Sequence, residues 1–549
     1  MSGPGHRPRI GLAVVLGACV ALTGCGGSPR RPEATPHPAS TPDPQPAPGA
    51  MREQLLAGMV SILASLDRYD EARAGEQVFD RLVQWRHAAG PAADERSASL
   101  PLDSLTAAAV AAGQPIVDRS GFDFPGDVIA IRDRCWLAAV ARTARGGAVD
   151  DLAIAENLFR WTVRSLALVS DPPLVPSDTV PGSRWFQPGE ILLAGRASPA
   201  QRAWVFLELL RQAGIDGAML AVPGTGGGPP RPWVPAAIVA GEAYLFEPTY
   251  GMPIPGPGGR GVATLRQAAF DAEILAALSL PERQYPVQAD ALANGVVVLV
   301  AADPWSLAGR MKSLDRELVP ARGVRVAVDA TAVAGRAAEA VAGAAAAAGV
   351  ERGIWAFPWE TVARRRLAVA ALAEELGPLE VPVPDPQRDG AGFRALFAGR
   401  VREFRGDVNG PEGAKAAYLA ARVSRREMTS AVAGMPERQA AAITGRLMRI
   451  KEDATYWLGL LMLAEGQDEA AIDYLQRMTL DASPDSRWTD AARINLAAGL
   501  VKLGQPSEAA ALLRADGSPQ RFGSRLAANR LAAEAAGAEA AGAEAPAEP

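Results

Sequence analysis

The chain has 549 residues, too many for one ordinary core, so two to four folded units are expected. With 48% hydrophobic and 21% charged residues it reads as globular, and its 6% aromatics and long alanine runs predict mainly helical cores of Ala, Leu and Val. A formal net charge of -5, and the lack of any lysine- or arginine-rich block interleaved with aromatics, argue against nucleic acid as a partner.

The amino terminus opens with His6, Arg7 and Arg9, followed by the apolar run IGLAVVLGACVAL at 10–22. That run is too short for a permanent bilayer span and predicts an export signal. It ends in Leu-Thr-Gly-Cys, Leu22 to Cys25, which resembles the lipobox of bacterial lipoproteins. The resemblance implies that Cys25 is acylated and becomes the mature first residue, tethering the protein to the cell envelope. Gly26 follows the cysteine rather than an aspartate, which in a cell with an outer membrane implies transfer to its periplasmic face. Residues 26–50 are proline-rich, without apolar periodicity, and predict an extended linker.

Cysteine and histidine are scarce. Cys19 falls in the signal and Cys25 is the acylation site, which leaves Cys135 without a partner for an internal disulfide. His6 lies in the signal, His37 in the linker and His87 in an early helical segment. A Cys/His metal site therefore has almost no ligands to draw on, and no cofactor is expected.

Along the body, 51–149 reads as helices, with apolar residues at helical spacing in 51–87 and again in VIAIRDRCWLAAVARTA at 128–144. Residues 150–169 predict a helix with Leu158, Phe159, Trp161 and Leu166 on one broad face. A second helix, AQRAWVFLELLRQAGID at 200–216, stops at Gly214. Strand-like runs follow at 218–222, 234–240 and 243–246, the last two joined by a short turn around Gly241. Helices followed by an antiparallel meander indicate an α+β unit. Residues 261–400 read as a small α/β region with strand candidates GVVVLVA, VRVAVDA and GIWAFPWE, plus an alanine-rich helix at 332–350. The expected fold class is α+β, predominantly helical.

Beyond 411 the chain reads as wholly helical. The segment 456–486 resembles a tetratricopeptide repeat, with Leu458, Gly459, Gly466, Ala471, Ile472, Tyr474 and Pro484 in the repeat's places. A second copy carries Leu496, Gly504, Ala509, Ala510 and Leu512, and both Leu458 to Leu496 and Gly466 to Gly504 give a 38-residue offset. The resemblance implies helix pairs over 411–530 that bind peptides or proteins; a plain helical bundle is the alternative. Residues 531–549 read as a low-complexity tail.

The block 150–260 raises the question of catalysis. RAWVFLELLRQAGI, RPWV and FEPTYG resemble the helix, the HAWV strand start and the DPT strand end of the transglutaminase-like superfamily. That resemblance implies a papain-like fold in which a cysteine, a histidine and an aspartate cooperate in acyl transfer. The corresponding slots here hold Pro199, with Ser198 adjacent, Arg231 and Glu247. Proline offers no nucleophile and arginine stays protonated near neutral pH, so the frame is read as catalytically degenerate. Cys135 reads as a buried apolar cysteine, Ser198 has no histidine or lysine beside it in sequence to support a serine mechanism, and nothing in the spacing of Glu190 and Glu247 requires a glycosidase-like pair.

The reading that follows is a lipid-anchored envelope protein acting in protein binding or scaffolding, with an envelope protein or peptide as partner. One alternative is a peptidoglycan or carbohydrate binder using Trp185, Trp233 and Tyr250 as a groove, with Arg231 and Glu247 paired where the catalytic dyad would stand. Another is an active thiol hydrolase.

Overall fold

The computed structural model describes residues 48–89, 100–170, 183–224, 228–293, 295–343, 350–383 and 392–543. The chain divides into two units, 1–47 and 48–549. The signal, Cys25 and nearly all of the expected linker lie outside the described residues. Residues 48–50, read as the end of that linker, instead open the first helix, Pro48–Ala64. Proline at a helix start sacrifices no hydrogen bond, because the first amides have no intrahelical acceptor.

The second unit is predominantly helical with one small mixed sheet. Its central helix, Gly126–Ala144, is buried along most of its length and carries Cys135, Trp136 and several charged groups. Those charges are paired. Asp127 receives two bonds from Arg310 at 2.6 and 2.7 Å, and Arg134 meets Asp303 at 2.5 Å and Glu208 at 3.4 Å. Breaking one member of such a pair would strand a buried charge, so these contacts fix which elements surround the helix.

Around it pack the helices Asp151–Ser165 and Pro199–Ala213. Local chemistry starts and stops both. Asp150 caps the first by accepting from Leu152 N at 3.0 Å. The second begins with a capping box: Ser198 Oγ accepts from Gln201 N at 3.3 Å, and Gln201 Oε1 accepts from Ser198 N at 2.9 Å. It ends at Gly214, whose φ of 83° suits glycine.

Among the described residues, eight strands complete the unit. β1 (Ala167–Leu168) and β2 (Arg196–Ala197) form a short parallel pair. The larger sheet contains β3 (Asp216–Val222), β4 (Arg231–Val239), β5 (Glu242–Glu247), β6 (Met252–Pro253), β7 (Val297–Val300) and β8 (Arg352–Ile354). Its order is β6-β5-β4-β3-β7-β8, antiparallel except for β7 and β8. The β4–β5 turn has positive φ at Ala240 (50°) and Gly241 (80°), as a tight two-residue hairpin requires.

The sheet is covered on both faces. Met219, Ala221, Ala237, Phe246 and Leu299 join the main core with the helix Pro199–Ala213. Ala218, Leu220, Val222, Val234, Ala236 and Val298 face a second core that includes Tyr285, Ala337 and Val341. Two-sided burial explains why the strands read as continuous apolar runs rather than alternating ones.

Two expectations about the middle region change. Its strands β7 and β8 extend the sheet begun at β3, so residue 260 marks no boundary in that sheet. VRVAVDA is extended but not paired as a strand. Its amides go to side chains instead: Arg325 N donates to Gln212 Oε1, and Val326 N and Ala327 N donate to Asp315 Oδ1. The alanine-rich helix spans Ala330–Ala342, and 344–349 lie outside the described residues.

The carboxyl-terminal part forms two antiparallel helix pairs. Glu437–Ala464 turns at Gly466 (φ 72°) into Asp468–Ile472, which continues as a π-helix, Asp473–Asp481. Thr489–Lys502 turns at Gly504 (φ 74°) into Pro506–Arg514. Gly459 permits the close crossing, since a Cβ there would lie 2.7 Å from Leu475. Both pairs contribute to the main core with residues such as Leu458, Trp488, Leu496 and Ala509. The expected tail from 531 continues as helix Arg521–Ala543. Among the described residues, no helix is long and apolar enough to cross a membrane.

Candidate functional site

The three residues expected at the slots of a degenerate frame each lie at an element's end. Pro199 is the first residue of its helix, Arg231 the first of β4, and Glu247 the last of β5. Because β4 and β5 are antiparallel, the latter two lie toward the same end of the sheet. Their side chains nevertheless part company. Arg231 is exposed and reaches only Pro286 O, at 3.5 Å.

Glu247 turns inward and is 5% exposed. Its Oε1 accepts from Thr249 N at 2.8 Å, and its Oε2 accepts from the Tyr285 hydroxyl at 2.5 Å. Tyr285 Oη in turn accepts from Trp233 Nε1 at 2.9 Å. This chain runs from indole to phenol to carboxyl, with Tyr250 set edge-on to Tyr285 at 5.4 Å between ring centres. Among the described residues, no ion pair joins Arg231 to Glu247. Burial holds the Glu247 carboxyl above the usual range, against the lowering effect of its bonds from Tyr285 and Thr249. Burial and the neighbouring carboxylate together hold the Tyr285 phenol well above its ordinary value.

The remaining candidates for chemistry are separated and engaged in structural contacts. Ser198 is an N-cap, its hydroxyl committed to Gln201 N. Cys135 is buried, and desolvation pushes its thiol up to about 12, far from the thiolate a nucleophile requires. His87 is exposed near the end of helix Glu71–Ala89. Glu190 accepts from Gln187 N and pairs with Arg365, whereas Glu247 bonds to Tyr285, so the two carboxyls are engaged separately.

Nor do the three aromatic residues line one groove. Trp185 lies in the main core, 5.8 Å from Phe357, with the Arg364 guanidinium over its ring at 5.2 Å. Trp233 and Tyr250 belong to the second core on the other face of the sheet. All three are at most 5% exposed, which identifies them as interior packing residues.

The residues that close this region came without a sequence signal. Arg202, in the first turn of the slot-bearing helix, is buried beside the β5–β6 turn. Its Nε donates to Leu166 O at 2.8 Å, and its Nη1 donates to Pro248 O at 3.1 Å and Gln520 Oε1 at 2.6 Å. Burial depresses its pKa, with acceptors around it that are largely uncharged carbonyls. Gln520 belongs to a segment of the carboxyl-terminal region lying directly on the Pro248–Gly251 turn. A Cβ on Gly523 would come within 1.9 Å of Tyr250 O, and one on Gly251 within 2.5 Å of the Gln520 side chain. Phe522 and Leu526 join the core containing Trp233, Tyr250 and Tyr285.

Comparison with known proteins adds no match: no family model, no curated protein and no solved structure matches the chain.

Proposed function

We propose that this protein is an exported, lipid-anchored scaffold of the cell envelope, built on a transglutaminase-like frame without catalytic residues. The supporting observation is the division of the three slots: Pro199 begins a helix, Arg231 faces outward, and Glu247 is buried against Tyr285 and Thr249. No nucleophile and base are brought together at these three residues, and Gln520 and Gly523 pack on the neighbouring Arg202 and Tyr250. The carboxyl-terminal helix pairs supply the binding part of this reading, which assigns them an envelope protein or peptide. The carbohydrate-groove reading is set aside because Trp185, Trp233 and Tyr250 are interior.

The test has two measurements. Pro199→Cys combined with Arg231→His is expected to hydrolyse a model ester no faster than either single variant, because the supporting side chains are arranged for packing. Robust hydrolysis by the double variant, above each single one, would show instead that the supporting side chains are still arranged for catalysis. Crosslinking in intact cells should recover envelope proteins in a manner that depends on the helix pairs; recovery with purified cell wall alone would point instead to a glycan.

A further inference from the structure

The stretch Lys415–Lys451 carries eight basic side chains against two acidic ones, in a chain whose formal net charge is -5. The fold presents much of this charge on one feature. The short helix Arg425–Ala431 packs on the start of the 28-residue helix Glu437–Ala464, with a glycine turn at Gly434 (φ 77°) between them. From Ser424 to Arg446 only Met428 is buried. This part of the hairpin is therefore largely exposed, held to the main core by Met428 and the half-buried Ile443.

Apart from Arg449, 3.9 Å from Asp453, its cations are not engaged internally. The side chains of Arg425, Arg426, Arg438, Arg446 and Lys451 have no hydrogen bond or ion pair among the described residues, in contrast to the paired arginines of the core. Arg438 and Arg446 lie away from the buried stripe of Leu447, Ile450 and Ala454. Met435, beside the turn, and Met448, on the long helix, are 37% and 53% exposed. Unpaired cations beside flexible apolar side chains suit a surface of diffuse negative charge over an apolar layer. Directional recognition of bases or sugars would call for exposed aromatics, and this hairpin has none.

We propose that the hairpin 424–451 is a docking surface for the anionic headgroups of a phospholipid bilayer, with Met435 and Met448 entering the headgroup layer. The identity of the bilayer rests on the lipid-anchored reading above. A chain the length of 26–47 extends at most about 75 Å, so an acylated Cys25 would keep the body close enough for this second contact. A basic surface on the body adds a second, electrostatic contact to such an anchor.

The experiment uses the full chain carrying Cys25→Ser, so that acylation cannot contribute. It is sedimented with phosphatidylcholine vesicles and with vesicles containing phosphatidylglycerol. Partition onto the anionic vesicles is expected to fall at least about ten-fold when Arg425, Arg426, Arg438 and Arg446 are all changed to Glu, given the contribution of each cation near a charged membrane. The matching set of Gln substitutions should lose less, and Met435→Ser less again. Arg260→Glu with Arg266→Glu and Arg352→Glu, at exposed positions elsewhere, should leave the partition unchanged. Unfolding curves identify any variant that has lost its fold, and the Gln set then carries the comparison.

Equal partition of the parent and the folded Glu or Gln variants would overturn the proposal. So would a parent that ignores the vesicles but captures a DNA duplex through the same four arginines. Fatty-acid labelling of the natural chain in cells tests the anchor separately. Hairpin-dependent vesicle binding without label on Cys25 would retain the docking surface and reject the anchor; label without hairpin-dependent binding would do the reverse.

Discussion

Two buried glutamates in this molecule are held by opposite means. Glu247 is surrounded by neutral donors, a phenol and a backbone amide. Glu375 sits among Arg184, Arg196 and Arg487, with Arg196 at 2.6 Å and Arg487 at 2.9 Å. Burial pushes both carboxyls up. At Glu247 it prevails, whereas at Glu375 the three guanidinium groups outweigh it and hold the carboxyl below its ordinary value. The difference separates two tasks: Glu375 joins elements through charge, and Glu247 fills a polar position inside a sealed frame.

The largest expected effect tests the first task. Glu375→Ala leaves three arginines crowded together and should cost about 3–5 kcal/mol in denaturant unfolding. Because the folded-state pKa of Glu375 is depressed, its contribution is present above the unfolded value of about 4.3 and disappears as pH falls through the folded value. The variant should therefore show a flatter loss of stability in acid than the parent. An unchanged acid limb would remove Glu375 as its source.

Next in size is Arg202→Met, which strips donors from Leu166 O and Pro248 O and breaks the link to Gln520. A loss of about 2–3 kcal/mol is expected, together with faster proteolysis around 516–526. Gly523→Ala drives a methyl group into Tyr250 O and should cost about 1–3 kcal/mol while loosening the same segment. If both variants unfolded like the parent and resisted protease equally, the carboxyl-terminal segment would not be the seal over Glu247.

The smallest effect is expected from Glu247→Gln, within about 1 kcal/mol at neutral pH, since the amide oxygen can still accept from Thr249 N while its NH2 donates to the Tyr285 hydroxyl oxygen. Its pH signature has the opposite sign to that of Glu375. A raised carboxyl binds its proton more readily in the folded than in the unfolded state, so stability falls as pH rises between the two values. Glu247→Gln should remove that decline. A decline that persists in the variant would assign it to another group.

Local signals made much of the scaffold legible. Gly214 announced a helix stop and Gly241 a tight turn, whereas the Ser198–Gln201 capping box went unread because Ser198 was taken only as a neighbour of the nucleophile slot. The matching turns at Gly466 and Gly504 marked two helix pairs before any contact was known. VRVAVDA misled because Asp315 and Gln212 supply acceptors that strand neighbours would otherwise provide. The site was less accessible than the scaffold for the same reason of distance. Nothing near Glu247 pointed to Tyr285, 38 residues on, and nothing near Arg202 pointed to Gln520. Reading Trp185, Trp233 and Tyr250 as a groove treated aromatic content as exposure, whereas burial on both faces of the sheet places them inside.

The contact between Arg202 and Gln520 spans 318 residues of chain. At a synthesis rate of roughly 5–20 residues per second, that interval lasts about 15–60 s. For most of it, the faces of Trp233 and Tyr250 await the segment that will cover them. A segment made late is thus needed to finish one made much earlier. A message truncated shortly before codon 516 would yield a protein with most of its elements present and a sticky face uncovered, a substrate for chaperones and proteases rather than a shorter version of the same molecule.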